Sequence, residues 1–166
     1  IFFVLGVNLY LSIFLGHFAN FCINGQFFVL SRYLSNREAI TKNSLKQFIK
    51  IIDNSYSKFN VEDVYIIGSF CRIEMKASSD LDLRVYHKSD IYHSVLAYCY
   101  AFYLRFISVI YKFPMDVYCF SDYKFLNKIR SDEHPSYFKG SEVHIERYNH
   151  SEQVDAVVER NLAKWV

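Results

Sequence analysis

Charge is missing from the beginning of this chain. Residues 1–31 contain no Asp, Glu, Lys or Arg, and all 19 basic and 17 acidic side chains lie from Arg32 onward. A net excess of either sign is missing too. The formal charge is +2, too balanced to indicate a nucleic-acid binder. The four cysteines (Cys22, Cys71, Cys99 and Cys119) include no CxxC pair, which removes a zinc signature and a disulfide framework and favours reduced thiols in a cytoplasmic compartment. A basic n-region and a small-residue cleavage site are absent, which argues against a cleaved signal peptide. There is no internal repeat and no low-complexity tract. The chain begins with Ile rather than Met and reads as a fragment or processed product. What is abundant is apolar surface. At 52% hydrophobic and 19% aromatic, 166 residues suffice for one packed domain with an appendage and do not suit general disorder.

The uncharged head, Ile1 to Cys22, reads IFFVLGVNLYLSIFLGHFANFC. As a helix, 22 residues would span about 33 Å, near the roughly 30 Å thickness of a bilayer core. Asn8, Ser12, His17 and Asn20 interrupt it, while Arg32, Arg37, Lys42, Lys46 and Lys50 follow it. The expectation is a segment in contact with a membrane, with the remainder on the cytoplasmic face. The competing reading is an aromatic helix buried against a partner domain.

Residues 32–43 are polar and read as a joint. Leu45, Phe48, Ile49, Ile52, Tyr56 and Phe59 then recur at intervals of three and four, which predicts a helix, with Ser44 and Gln47 as its capping box. Val61–Ile67 is the first strand. Gly68-Ser69 breaks it, Phe70–Met75 is expected as a short helix, and Ala77–Ser79 as a loop. Leu81, Leu83 and Val85 alternate with Asp80, Asp82 and Arg84, the period of a strand with one buried face. Asp90–Tyr111 is long and aromatic, and Arg105 with the flanking His93 and Lys112 makes it a buried amphipathic helix rather than a second span. Met115–Phe120 is a third strand. Ser151–Trp165 predicts a terminal helix with Val154, Val157, Val158 and Leu162 on one stripe. The segment Arg130–Pro135 is rich in turn formers and has no role legible in sequence. Helices alternating with strands imply an α/β or α+β layer with helices on a sheet.

The chemistry concentrates in Val64–Val85, VYIIGSFCRIEMKASSDLDLRV. Two carboxylates on one strand face repel unless something positive sits with them, and a divalent cation is the usual answer. Asp80 and Asp82 form such a pair, and Asp116 on the third strand would complete a cluster if the strands are neighbours. Gly68-Ser69 after a strand supplies a turn where phosphate can approach the backbone. Hard oxygen ligands beside a phosphate cradle suit Mg²⁺ and two-metal phosphoryl or nucleotidyl transfer.

At these residues the chain resembles the nucleotidyltransferases of the DNA polymerase β-like superfamily. The nearest branch is that of minimal nucleotidyltransferases, with the pattern GSxxRGxxxxxSDxDLxV. Gly68, Ser69, Arg72, Ser79, Asp80 and Asp82 match without a gap, and Met115-Asp116-Val117 matches the hydrophobic setting of the third carboxylate. The resemblance covers about residues 44–120. It implies an α+β (α/β-like) nucleotidyltransferase fold, a small mixed sheet with helices packed on it. Residues 44–122 would be the catalytic core and 123–166 a C-terminal extension. It also implies two Mg²⁺ ions on Asp80, Asp82 and Asp116, which are the catalytic residues. An NTP, ATP foremost, would be bound by Gly68, Ser69, Arg72 and Ser79. An NMP group would pass to an acceptor hydroxyl with release of pyrophosphate. The acceptor is not encoded; a membrane-associated head would suit a protein or lipid-linked one. The alternative is a catalytically degenerate module for nucleotide sensing or protein assembly. One departure feeds it: the family's glycine after the arginine is Ile73 here. A β-branched residue adopts positive φ only with strain, so either the backbone differs or the site is degraded.

Overall fold

A computed structural model describes residues 9–23, 41–76, 79–111, 114–124, 129–138 and 152–164. Expectations that concern residues 1–8, the joint at 32–40, Ala77-Ser78, Lys112 and Trp165 lie outside the described residues. The chain divides into two units, Ile1–Arg37 and Glu38–Val166. In the first, α1 (Leu9–Ile23) is an apolar helix with Phe14 stacked on Phe18. Its 15 residues cover roughly 22 Å at the helical rise, less than a bilayer core.

The second unit is an α+β arrangement with a small mixed sheet of five strands. Its first helix, α2 (Lys42–Ser55), buries Leu45, Phe48, Ile49 and Ile52, the periodic set. The cap is Thr41 rather than Ser44. The Thr41 side chain accepts from the Ser44 amide and the Ser44 hydroxyl accepts from the Thr41 amide, a capping box displaced by three residues from the expected one. The helix tightens into a 3-10 turn at Tyr56–Phe59, ended by Asn60 in the left-handed region.

Strands β1 (Asp63–Ile67), β2 (Leu81–Tyr86) and β3 (Met115–Phe120) form the middle and one edge of the sheet. β1 runs antiparallel to β2, and β3 runs parallel to β2. A parallel neighbour needs a crossover, supplied by α3 (Ile91–Ile110), which Asp90 caps by accepting from the His93 amide. The order is completed by β4 (Ser136–Tyr137), antiparallel to β1, and β5 (Glu152–Gln153), parallel to β4. Helix α4 (Val154–Lys164) follows directly, with Val154, Val157, Val158 and Leu162 buried as the stripe predicted. The segment after residue 122 thus supplies two strands of the same sheet.

The pleat separates two faces. Val64, Ile66, Leu81, Leu83, Val85, Met115 and Val117 join α2, α3 and α4 in one core. Asp82, Arg84 and Tyr86 of β2 and Asp116, Tyr118 and Phe120 of β3 lie on the other face, in register. β1 lies inside the sheet and is buried along its whole length. The long aromatic helix α3 is buried on one side only. Ala97, Tyr100, Ala101, Leu104 and Ser108 face the core, and Arg105 donates to the Val117 carbonyl at 2.7 Å.

Candidate functional site

Three rows of side chains cross the face of the sheet that points away from the helices. The first sets Ile67 against Asp82 and Asp82 against Asp116. The second sets Tyr65, Arg84 and Tyr118 side by side, and the third Asp63, Tyr86 and Phe120. The carboxylate row lies where β1 ends in Gly68 and where β2 and β3 begin. Asp80 lies two residues before Asp82, just ahead of β2 rather than in it.

Asp82 sits against Gly68. A Cβ on Gly68 would lie 2.6 Å from Asp82 Oδ2, and Gly68 has φ +76°. Two independent constraints therefore require glycine here: the left-handed backbone and the carboxylate resting on it. Burial pushes the Asp82 carboxyl above its ordinary value. The Arg84 guanidinium pulls the other way, and the charges of Asp116, Asp80 and Glu133 raise it further. Arg84 is half-buried, stacks over the Tyr118 ring at 4.6 Å and donates to the Leu83 carbonyl at 3.0 Å. It is the positive charge nearest in register to the pair, and the loss of hydration lowers its own pKa.

The segment Phe70–Met75 is not a helix; it is a chain of turns. The Arg72 amide donates to the Gly68 carbonyl at 3.4 Å, the Ile73 amide to Phe70 at 3.2 Å and the Glu74 amide to Ser69 at 3.0 Å. The physical reason is the backbone of Ile73, which takes φ +56° and ends any α-helical run. Ile73 thus holds the left-handed conformation that glycine adopts freely, with a β-branched side chain in it. Among the described residues the turn's own hydrogen bonds leave out the Ser69 amide, and Phe70 is fully buried, so any phosphate cradle rests on the Gly68-Ser69 turn and not on a helix N-terminus.

Of the other candidate residues, Arg72 is held by carboxylates. Its Nε donates to Glu74 Oε2 at 2.9 Å, and its Nη1 pairs with Glu133 Oε1. The Ser79 hydroxyl accepts from the Lys76 amide at 2.9 Å and closes the loop that leads into Asp80. Among the described residues, no group of three or more His, Cys, Asp or Glu side chains is gathered closely enough to form a ready metal site. Asp82 and Asp116 are nonetheless cross-strand neighbours; burial is the main reason the Asp82 carboxyl is raised, and the charges of Asp116, Asp80 and Glu133 add a smaller push that a cation would offset. Carboxylate oxygens suit Mg²⁺, so the residues present fit that ion.

Several residues that support the site carry no motif. Asn161 of α4 is buried; it accepts from the Met75 amide at 3.3 Å and donates to the Phe70 carbonyl at 2.8 Å. It pins both ends of the turn segment to the terminal helix. Its place between Val158 and Leu162 on the apolar stripe was the available signal. Glu133, from the stretch without a legible role, holds Arg72. At the far end of the face, Tyr123 stacks on Tyr86 at 4.4 Å, and its hydroxyl donates to Asp63 Oδ2 at 2.6 Å. Burial and that carboxylate raise the Tyr123 pKa, so the phenol stays protonated. This aromatic cluster covers the third row of the face.

A cleft of about 360 Å³ lies beside the turn, bordered by Cys71, Arg72, Ile73, Glu74, His134 and Arg160 among others. None of Asp80, Asp82 and Asp116 lines it. Position in the sheet identifies the carboxylate row better than cavity size does, because a site for a highly charged ligand need not be deep. Comparison with family models, curated proteins and solved structures finds no match to this chain.

Proposed function

We propose that the protein is a Mg²⁺-dependent nucleotidyltransferase that moves an NMP group from an NTP to an acceptor hydroxyl. The observation that carries this reading is the packing of Asp82 on Gly68 beside Asp116, which puts a carboxylate pair directly next to a glycine turn. The turn at Gly68-Ser69, with the Ser69 amide foremost, would hold the triphosphate. Asp116 would take the proton of the acceptor hydroxyl, whose oxygen forms the new bond to the α-phosphorus as the bond to pyrophosphate breaks. Mg²⁺ held by Asp80, Asp82 and Asp116 would supply charge neutralisation and a lowered hydroxyl pKa. Arg84, one row away, would keep the face from repelling a polyanion. The small mixed sheet with helices packed on it is the arrangement that the nucleotidyltransferase fold proposed here requires.

The test is transfer of label from α-labelled NTPs by the full chain with Mg²⁺ and a cell lysate, beside Asp82→Asn and Asp116→Asn. Label that depends on both carboxylates supports the reading, and equal labelling by the variants sinks it. A second reading, a module that binds nucleotide without transferring it, is favoured by one observation: Arg72 is already neutralised by Glu74 and Glu133. It predicts Mg²⁺-dependent NTP binding with no pyrophosphate released.

A further inference from the structure

Helix α3 presents two apolar faces, and the sheet covers one of them. On the opposite side, Ile91, Val95, Tyr98, Phe102, Phe106 and Ile110 recur at intervals of four and three. Each is between 48% and 86% exposed. Scattered apolar side chains on a surface are ordinary; a continuous stripe along a helix of about 30 Å is not. The stripe holds no charged residue. Arg105, the one Lys or Arg of this helix, turns inward to the Val117 carbonyl, and His93 pairs with the Asp90 cap.

We propose that this face is the interface of a homodimer in which two copies pair through antiparallel α3 helices. Area favours a second copy. An aromatic side chain offers roughly 200 Å². Six large residues about half exposed, with Tyr92 and Tyr111 at the margins, come to on the order of 700 Å². A stable dimer needs about 800 Å² from each partner. Chemistry favours it too. An uncharged stripe meets its own copy without like-charge repulsion, and the interfaces of homodimers are the more apolar class. A helix lying in a lipid interface instead needs a strongly charged polar face, and the other face of α3 is occupied by the core. The site is compatible, since Asp82 and Asp116 lie on the opposite face of the sheet and remain open in both copies.

Symmetry gives the experiment. Cys99 is exposed and lies at the middle of α3, so an antiparallel pair brings two copies of it close together. Cys71 and Cys119 are half-buried, and burial pushes both thiols up to about 11. The full chain at micromolar concentration is expected to show twice the monomer mass by sedimentation. A short bismaleimide should give a covalent dimer that Cys99→Ser abolishes and Cys71→Ser does not. Phe102→Glu should raise the dimer Kd at least tenfold, with the circular dichroism of the wild type retained. A monomeric mass at 100 times that concentration would overturn the proposal. So would a dimer whose Kd Phe102→Glu leaves unchanged, or a covalent dimer that survives Cys99→Ser. Flotation of a monomeric chain with anionic phospholipid vesicles, lost in Phe102→Glu, would assign the face to lipid instead.

Discussion

Replacing Ile73 by glycine should make this protein more stable, although the change removes a side chain of four carbons. Ile73 has φ +56°. An L-residue in that region pays about 1–2 kcal/mol, and a β-branched one is at the upper end. Glycine pays none of this in the folded state, but its freer unfolded chain costs about 0.5–1 kcal/mol. The Ile73 side chain is half-exposed at the rim of the cleft, so little packing is lost. The net expectation for Ile73→Gly is a gain of about 0.5–1 kcal/mol, or a Tm higher by roughly 1–4 °C for a chain of this size. Ile73→Ala is the control. It keeps a Cβ in the left-handed region and gives up the remaining contacts, so it should fall at or below the wild type. Urea denaturation at 25 °C measures all three. If Ile73→Gly loses as much as Ile73→Ala, the side chain is packing the turn and not straining it, and the reasoning fails.

The same region yields further expectations. Gly68→Ala should cost about 1–2 kcal/mol from its φ alone, and more because the new Cβ must displace the Asp82 carboxylate; thermal melts would show it, and an unchanged Tm would mean that Asp82 does not rest there. Asp82→Asn should raise the Tm at pH 7. The folded carboxyl lies above its unfolded value, so its cost is absent below the ordinary carboxylate range near pH 4 and sets in as pH rises through the raised value. The difference between variant and wild type should therefore shrink on acidification, and a difference that grows would contradict the sign. Asn161→Leu should cost about 1–3 kcal/mol by leaving the Met75 amide and the Phe70 carbonyl without their partner. Exchange of the Met75 amide with deuterium should speed up in the same variant.

The parts of this fold that were legible in sequence are those with a period. The stripe Leu45–Ile52, the alternation Leu81–Val85, the strand Met115–Phe120 and the valines of α4 each repeat a burial pattern over several residues, and each forms the element it predicts. What stayed hidden has no period to read. β4 and β5 are two residues each, and they exist because β1 offers a free edge to Ser136 and Tyr137. The segment Phe70–Met75 was open to a short helix because it holds no Gly or Pro to break one; the left-handed backbone of Ile73 decides otherwise. Sequence predicted α3 as a buried helix, but an aromatic-rich helix gives little contrast between its two faces. For the candidate site, Gly68, Asp82 and Asp116 could be named from spacing, and the structure sets them side by side. Asn161 and Glu133 could not, since their partners lie 86 and 61 residues away in the chain.

Chemistry at the carboxylate row is the claim on which the rest depends. Its most direct measurement is pyrophosphate release and label transfer from α-labelled ATP by the full chain with Mg²⁺, in lysate, compared with Asp82→Asn and Asp116→Asn. The account predicts transfer by the wild type and at least a hundredfold loss in each variant, the order expected when a group that stabilises the transition state is removed. Transfer undiminished in either variant, or no transfer by the wild type with any of the four NTPs, would contradict it.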